Sequence, residues 1–267
     1  MHTPSHTRPL ILITNDDGYT ATGIRDLARA VSTFADVVVV APDGPRSGAA
    51  CAITPTVPVY YVGPYDDLSL DGETIYSCSG TPVDCIKLAM EEIVPRQPNL
   101  ILSGINHGDN ASVSCHYSGT MGAVLEGCLK GVPSIGFSLW LQHGDWYEKE
   151  PIGEDVMTAI GALCQKVIEQ GLPEEVCLNV NLPSISKFRG WKVCRQARGR
   201  WSGEWASASN PRVDGRHFWL TGSFIDLEPN ASDTDFAALR SGYCSIVPIT
   251  IDMTAYNAIE ATNQLLL

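Results

Sequence analysis

Leu10-Ile11-Leu12-Ile13-Thr14-Asn15-Asp16-Asp17-Gly18 decides the reading of this chain. Four apolar residues and a threonine make a short strand buried on both faces, and it stops abruptly at two adjacent carboxylates and a glycine. A helix is expected around Gly23–Phe34, then a β-branched strand, Val37–Ala41, closed by Pro42. The alternation continues with a helix over Pro82–Ile93, Pro82 suiting its first turn, and a strand over Asn99–Ser103. A Gly-rich loop, a helix about Ser118–Lys130 and a strand about Ser134–Ser138 follow. Continuous apolar strands alternating with helices predict an α/β fold: a Rossmann-like, mostly parallel sheet with helices on both faces.

Beyond residue 140 the texture changes. Trp140–Gly153 reads as a loop rich in Trp, Tyr and charge, Asp155–Gln170 as an amphipathic helix, and Val176–Leu182 as one more sheet strand ended by Pro183. Trp191–Arg198, a polar stretch to Arg216 and the apolar Phe218–Thr221 predict a long β-hairpin with a loose tip rather than a second domain. Asp233–Arg240 is expected to be helical, Tyr243–Ile251 a strand and Met253–Leu267 a terminal helix. Residues 1–267 are thus read as one unit, with a core over about 9–183 and a hairpin and helix extension over about 184–267. Trp191, Trp201, Trp205 and Trp219, with Arg195, Arg198, Arg200 and Arg212, give the extension the composition of an interface, so a homodimer or homotetramer is expected. The same rings could instead fold back as a lid over a ligand pocket.

Composition excludes several classes. The chain has 267 residues, 44% of them hydrophobic and 18% charged, which suits a sizeable core and not a disordered chain. No apolar run approaches the roughly 18–20 residues of a membrane span, and the polar N-terminus does not read as a signal peptide. Thirty Asp+Glu against 18 Lys+Arg leave a formal charge of −12, which opposes binding to a nucleic-acid polymer. A phosphate substrate stays compatible, because a bound cation reverses the local sign. The nine cysteines are scattered and form no CxxC pair, so they read as reduced core residues of a cytoplasmic protein.

In an open parallel sheet, ligands bind beyond the carboxyl ends of the strands, and the chemically pointed residues follow the strands here. Asp16 and Asp17 can offer hard oxygen ligands to a divalent cation; an Asx turn with a helix cap would use the same residues. The second strand opens into Ala41-Pro42-Asp43-Gly44-Pro45-Arg46-Ser47-Gly48, a composition that also suits an ordinary turn. The third opens into Ser103-Gly104-Ile105-Asn106-His107-Gly108-Asp109-Asn110 and reaches Tyr117-Ser118-Gly119-Thr120 just before a helix. Small residues at a helix start leave backbone N–H groups pointing outwards, where an anion is favoured; a capped helix without a ligand has the same sequence. What favours a site over separate turns and caps is that all these groups converge on one sheet edge.

The ordered set of motifs resembles the stationary-phase survival protein SurE family. It comprises Asn15-Asp16-Asp17-Gly18 with Gly23-Ile24, Ala41-Pro42 with Ser47-Gly48, Ser79-Gly80-Thr81-Pro82-Val83-Asp84-Cys85, Ser103-Gly104-Ile105-Asn106, Tyr117-Ser118-Gly119-Thr120 and Glu126-Gly127. It continues through Asn179-Val180-Asn181-Leu182-Pro183, Asp233-Thr234-Asp235 and Gly242-Tyr243, and so spans residues 10 to 252 or thereabouts. The resemblance implies a metal-dependent phosphatase acting on nucleoside 5′- and 3′-monophosphates, with a C-terminal extension used in oligomerisation. It implies Asp16, Asp17, Ser47 and Asn106 as ligands of one divalent ion, and Asn110, Ser118, Gly119 and Thr120 as the phosphate pocket. His107 and His116 are not required by the motifs.

Such oxygen ligands, without His or Cys, favour Mg²⁺ or Mn²⁺ over zinc. The ion would neutralise the phosphoryl group and acidify water, with Asp17 or Asp16 as base; direct attack by an aspartate stays open at this stage. His107 could protonate the leaving alkoxide, or simply be a solvated loop histidine. Three rival readings compete, the blandest being a purely structural oligomer. A haloacid-dehalogenase-like phosphatase would want Asp-x-Asp where this chain has Asp16 and Asp17 adjacent. A non-catalytic nucleotide-binding module would explain the Gly-rich loops but not the paired carboxylates.

Overall fold

The computed structural model describes residues 8–69, 72–141, 152–183, 188–209 and 212–266. At its centre is a nine-stranded sheet in the order β3-β4-β2-β1-β5-β6-β7-β13-β8. In chain order these strands are β1 (Leu10–Thr14), β2 (Asp36–Pro42), β3 (Tyr61–Val62), β4 (Thr74–Cys78), β5 (Leu100–His107), β6 (Ser134–Leu139), β7 (Val176–Leu182), β8 (Trp191–Val193) and β13 (Cys244–Thr250). The run β4-β2-β1-β5-β6-β7 is parallel, and β3 and β13 pair antiparallel with β4 and β7. From β1 the chain builds outward on one side to β2 and then returns to place β5 on the other. That reversal leaves a crevice beyond the carboxyl ends of β1 and β5.

Alternation along the strands explains the layers. Ile11, Ile13, Val37, Val39, Leu100 and Leu102 face one way and pack on α1 (Thr22–Ser32) and α4 (Glu154–Gln170) through Ile24, Leu27, Val31, Val156 and Ile160. Leu12, Val40 and Ile101 face the other way, onto α2 (Pro82–Leu88) and α3 (Gly119–Leu129) through Cys85, Ile86 and Ala123. Both faces are covered, so β1 and the middle of β2 are continuous apolar runs. Helix α2 begins with a capping box: Thr81 Oγ1 accepts the Asp84 amide at 3.2 Å and Asp84 Oδ2 accepts the Thr81 amide at 2.9 Å. It continues as a π-helical turn over Ala89–Ile93.

Several boundaries and one element differ from expectation. β5 does not end at Ser103 but runs to His107, with its register against β6 shifted between Ser103 and Asn106. Gly104 suggested a loop, whereas the buried Ile105 keeps the segment in the sheet. Trp191–Val193 is not a hairpin arm; it is the edge strand parallel to β13. The hairpin is made by β9 (Gly199–Ser202) and β10 (Trp205–Ala208) going out, with β11 (His217–Leu220) and β12 (Ser223–Asp226) returning. The register runs unchanged from Gly199↔Asp226 to Ala208↔His217, so the two ribbons are one hairpin interrupted at its middle. Its outgoing arm lies in the stretch read as merely polar, because the exposure of most of its residues removes the apolar signal.

The expected terminal helix is three short pieces, a 3₁₀ turn at Tyr256–Ala258, α6 (Ile259–Asn263) and a 3₁₀ turn at Gln264–Leu266, with no buried residue to stabilise a longer one. Helix α5 (Asp235–Arg240) starts at Asp235 with Thr234 as its cap. Most of the expected Trp140–Gly153 loop, residues 142–151, and the hairpin tip at 210–211 lie outside the described residues. Among the described residues no helix is long and apolar enough to cross a membrane.

Candidate functional site

The crevice beyond β1 and β5 gathers the acidic pair, Asn106 and the start of α3. Asn15 takes the Asx turn: its Oδ1 accepts the Gly18 amide at 3.1 Å and its Nδ2 donates to the Gly18 carbonyl at 3.0 Å. Helix α1 is preceded by Ala21 with no side-chain cap. Turn formation and capping therefore use neither Asp16 nor Asp17, and both carboxylates are left for the crevice.

Asp16 is 5% exposed. Its Oδ1 accepts the Thr120 hydroxyl at 2.6 Å, and the Thr120 backbone amide also favours its charge. Burial nevertheless dominates, with the neighbouring Asp17 charge adding to it, and the carboxyl is pushed up to about 6. Asp17 Oδ2 accepts the His107 amide at 3.2 Å. Its carboxyl is also raised, by burial first, against the opposing pull of the His107 amide and imidazole charge. Two adjacent acids, both raised, form a site short of positive charge, which a divalent cation would supply.

The other expected ligands come from separate elements. Ser47 is exposed on a turn closed by the Ala49 amide on the Arg46 carbonyl at 3.1 Å, and Gly48 at φ +75° supplies the conformation such a turn needs. The Arg46 amide donates to the Asp16 carbonyl at 2.7 Å, so this loop is stitched to the acidic pair one residue before Ser47. Asn106, at the end of β5, gives its amide nitrogen to the Gly108 carbonyl at 2.7 Å, which leaves its oxygen as the ligand-type atom. Two carboxylates, a hydroxyl and an amide oxygen fit a hard cation. Among the described residues no group of three or more His, Cys, Asp and Glu is placed to hold a metal, in keeping with a donor set only half acidic.

The expected phosphate residues divide. Ser118 caps α3, its Oγ accepting the Met121 amide at 3.0 Å. Gly119 sits so close to the acidic pair that a Cβ there would lie 2.9 Å from the Asp16 Cβ and 3.0 Å from its Oδ2. The helix start thus abuts Asp16, and any side chain at 119 would displace the carboxylate. The Thr120 hydroxyl is committed to Asp16 rather than pointed at an anion site. Asn110 is buried, with its Nδ2 on Ser138 Oγ at 2.6 Å, its amide on Asn181 Oδ1 at 2.8 Å and its carbonyl accepting Asn179 Nδ2 at 2.8 Å. His116 lies on the 3₁₀ turn Ser112–Tyr117, exposed, with Nδ1 3.3 Å from the Val113 carbonyl.

Three groups of positioning residues were not assigned roles from the sequence. Asn179 and Asn181 point to one face of β7 and hold Asn110; two buried asparagines at i and i+2 in an apolar strand were the available signal. Arg46 stitches the Ser47 turn to Asp16 and reaches the Ser79 and Gly80 carbonyls. Asp235, fully buried, takes the Ser112 amide at 2.8 Å on Oδ2 and the Ala197 amide at 3.0 Å on Oδ1, while Ser112 Oγ donates to the Ala197 carbonyl at 2.8 Å. It clamps the loop that follows β5 to the root of the hairpin. Its motif was visible, but nothing in the sequence told which loop it would meet.

Comparison with known proteins gives the family. The family model described as "Survival protein SurE" matches residues 11–203. The chain is 48% identical over 253 residues to the 5′-nucleotidase SurE of Bacteroides fragilis, covering 95% of this chain and 96% of that one. It is 47% identical to the 5′-nucleotidase SurE of Phocaeicola vulgatus, covering 93% of each. The crystal structure of the SurE protein from Aquifex aeolicus superposes with a TM-score of 0.79 at 31% identity, covering 97% of this chain and all of that one. With a family match over most of its length and relatives this similar end to end, the chain belongs to the survival protein SurE family.

Proposed function

We propose that this chain is a 5′-nucleotidase, a divalent-metal-dependent phosphatase that converts nucleoside 5′-monophosphates, and 3′-monophosphates as well, to nucleoside and phosphate. The observation that carries this reading is the Asp16–Asp17 pair, Asp16 buried and Asp17 half-buried, both raised in pKa, with Asp16 abutted by the start of α3 at the crevice between β1 and β5. The family's named relatives are 5′-nucleotidases.

Asp16, Asp17, Ser47 Oγ and Asn106 Oδ1 would hold one Mg²⁺ or Mn²⁺ per subunit, which when bound supplies Lewis-acid neutralisation of the phosphoryl oxygens. The Gly119 amide in the first turn of α3, with the Ser118 hydroxyl, offers an anion the positive end of the helix. Asn110 supports this pocket through a backbone and side chain fixed by Asn179, Asn181 and Ser138. Thr120 serves it indirectly, by holding Asp16 in place and charged. Asp17, less buried than Asp16, is the base assigned to take a proton from the attacking water.

The exposed apolar side chains of Trp205, Phe218, Trp219 and Leu220 on the hairpin support a homodimer or homotetramer assembled through the C-terminal extension. The acidic balance supports small nucleotides, not nucleic-acid polymers, as partners, and the compartment consistent with nine free thiols is the cytoplasm. The test is Asp17→Asn: we expect turnover of AMP to vanish at saturating Mg²⁺ or Mn²⁺ with an unchanged circular dichroism spectrum. Near wild-type activity of that variant would overturn the assignment.

A further inference from the structure

We propose that an aromatic cavity at the root of the hairpin is the nucleobase pocket of this enzyme, walled by Trp140, Trp201, Phe224 and Phe236 and edged by Asp109 and Arg240. The proposal rests on the nucleotidase reading and adds to it where the base is held and by which residues. The cavity has a volume of about 660 Å³, within the range of small-ligand sites.

Its position follows from the sheet order. Trp140 is the residue after β6, and β6 is the neighbour of β5, so the cavity opens on the same carboxyl edge one strand away from Asn106. Adjacent strands lie about 4.8 Å apart, so the offset from the β1–β5 crevice suits the span of a mononucleotide from phosphate to base. Asp109 lies at the junction: it belongs to the loop between Asn106 and Asn110 and is one of the residues lining the cavity, its Oδ1 accepting the Ala111 amide at 3.2 Å. A carboxylate at this boundary suits the hydroxyls of the sugar.

The walls suit a flat, neutral ring. Phe224 meets Trp201 edge-on at 5.8 Å and leans on Phe236 at 4.8 Å, and the Arg240 guanidinium lies over Phe236 at 5.8 Å. Such a wall offers faces and edges for a base to stack against, independent of its identity. Arg240 is already paired with Asp226, so with Asp109 the charged groups at the cavity sum to one net negative charge. A second phosphate is therefore disfavoured there, and an uncharged base is not. The Asp235 clamp between Ser112 and Ala197 fixes this wall relative to the loop that carries Asn110.

Two measurements test the proposal. Adenosine, which has no phosphate, is titrated in EDTA against the full chain and followed by broadening of its NMR lines. The ratio of kcat/KM for AMP to that for ribose 5-phosphate is then measured with metal. Both are repeated on Trp201→Ala, which removes a wall, and on Ser114→Phe, which puts a ring at a lining position outside the hairpin. We expect adenosine to bind, the parent to favour AMP over ribose 5-phosphate by at least about tenfold, and both effects to fall at least about fivefold in each folded variant. No adenosine binding, equal use of the two esters, or either variant behaving as the parent would overturn the pocket. Failure of the nucleotidase reading shows separately, as no phosphate released from either ester by the parent, and the adenosine titration then still decides the cavity.

Discussion

Replacing Thr120 by valine tests how the acidic pair is held. Thr120 is fully buried and its hydroxyl lies 2.6 Å from Asp16 Oδ1, so valine keeps the shape and removes only the donor. A hydrogen bond to a charged group is worth about 1.5–3 kcal/mol, against about 0.5–1.5 for a neutral one. Which figure applies depends on pH. The Asp16 carboxyl is raised from 3.8 to about 6 in the fold, so its burial costs nothing below about pH 4 and destabilises the metal-free chain progressively as pH rises through 6. Thr120 opposes that loss, since its bond favours the charged form.

In EDTA the variant should therefore melt only slightly below the parent at pH 5 and much further below it at pH 8. At roughly 2–4 °C per kcal/mol for a chain of this size, the pH 8 deficit is about 3–12 °C. Thr120→Ser should recover most of it. With metal present, kcat/KM for AMP should drop at least about tenfold. An equal deficit at both pH values would refute the reasoning. So would a variant as stable as the parent at pH 8 with only its KM raised, because that result would put the hydroxyl on the substrate.

Asp235→Ala should leave the Ser112 and Ala197 amides buried without their acceptor, at about 1–3 kcal/mol each, and should speed hydrogen exchange at those two amides before the sheet itself opens; unchanged protection there would remove the clamp from the account. The hairpin should mediate assembly: light scattering is expected to give a multiple of 28.8 kDa for the intact chain and a smaller species when residues 199–216 are deleted, and a monomer for the intact chain at micromolar concentration would refute the claim.

How much was legible follows from what each residue answers to. The core strands were readable because both sheet faces are buried: Leu10–Thr14 and Val176–Leu182 match to the residue, since every position between the turns faces a helix or the sheet's dry interior. β3 and β4, between Pro42 and Pro82, were not announced, because Tyr61 and Val62 sit exposed at the edge and Thr74–Cys78 mixes polar and apolar residues. The hairpin arms were misplaced for the related reason that most of their residues, β10 and β11 above all, are exposed. At the site, the position of Asp16 and Asp17 was legible because they directly follow the apolar run of β1, whereas Asn106 was singled out by its motif and lies inside β5 rather than in the expected loop. The role of Thr120 was not legible, since a hydroxyl at a helix start serves an anion or a neighbouring carboxylate equally well in sequence. Asp235 depends on a contact across 123 residues that local pattern does not encode.

The most direct test of the central claim is phosphate release from AMP, GMP, 3′-AMP and p-nitrophenyl phosphate by the purified chain, before and after EDTA, with Mg²⁺ or Mn²⁺ restored. The account predicts release from the nucleotides that EDTA abolishes and either ion restores in the parent, with no restoration in Asp16→Asn. Release that persists in EDTA, or that Asp16→Asn retains, would contradict it.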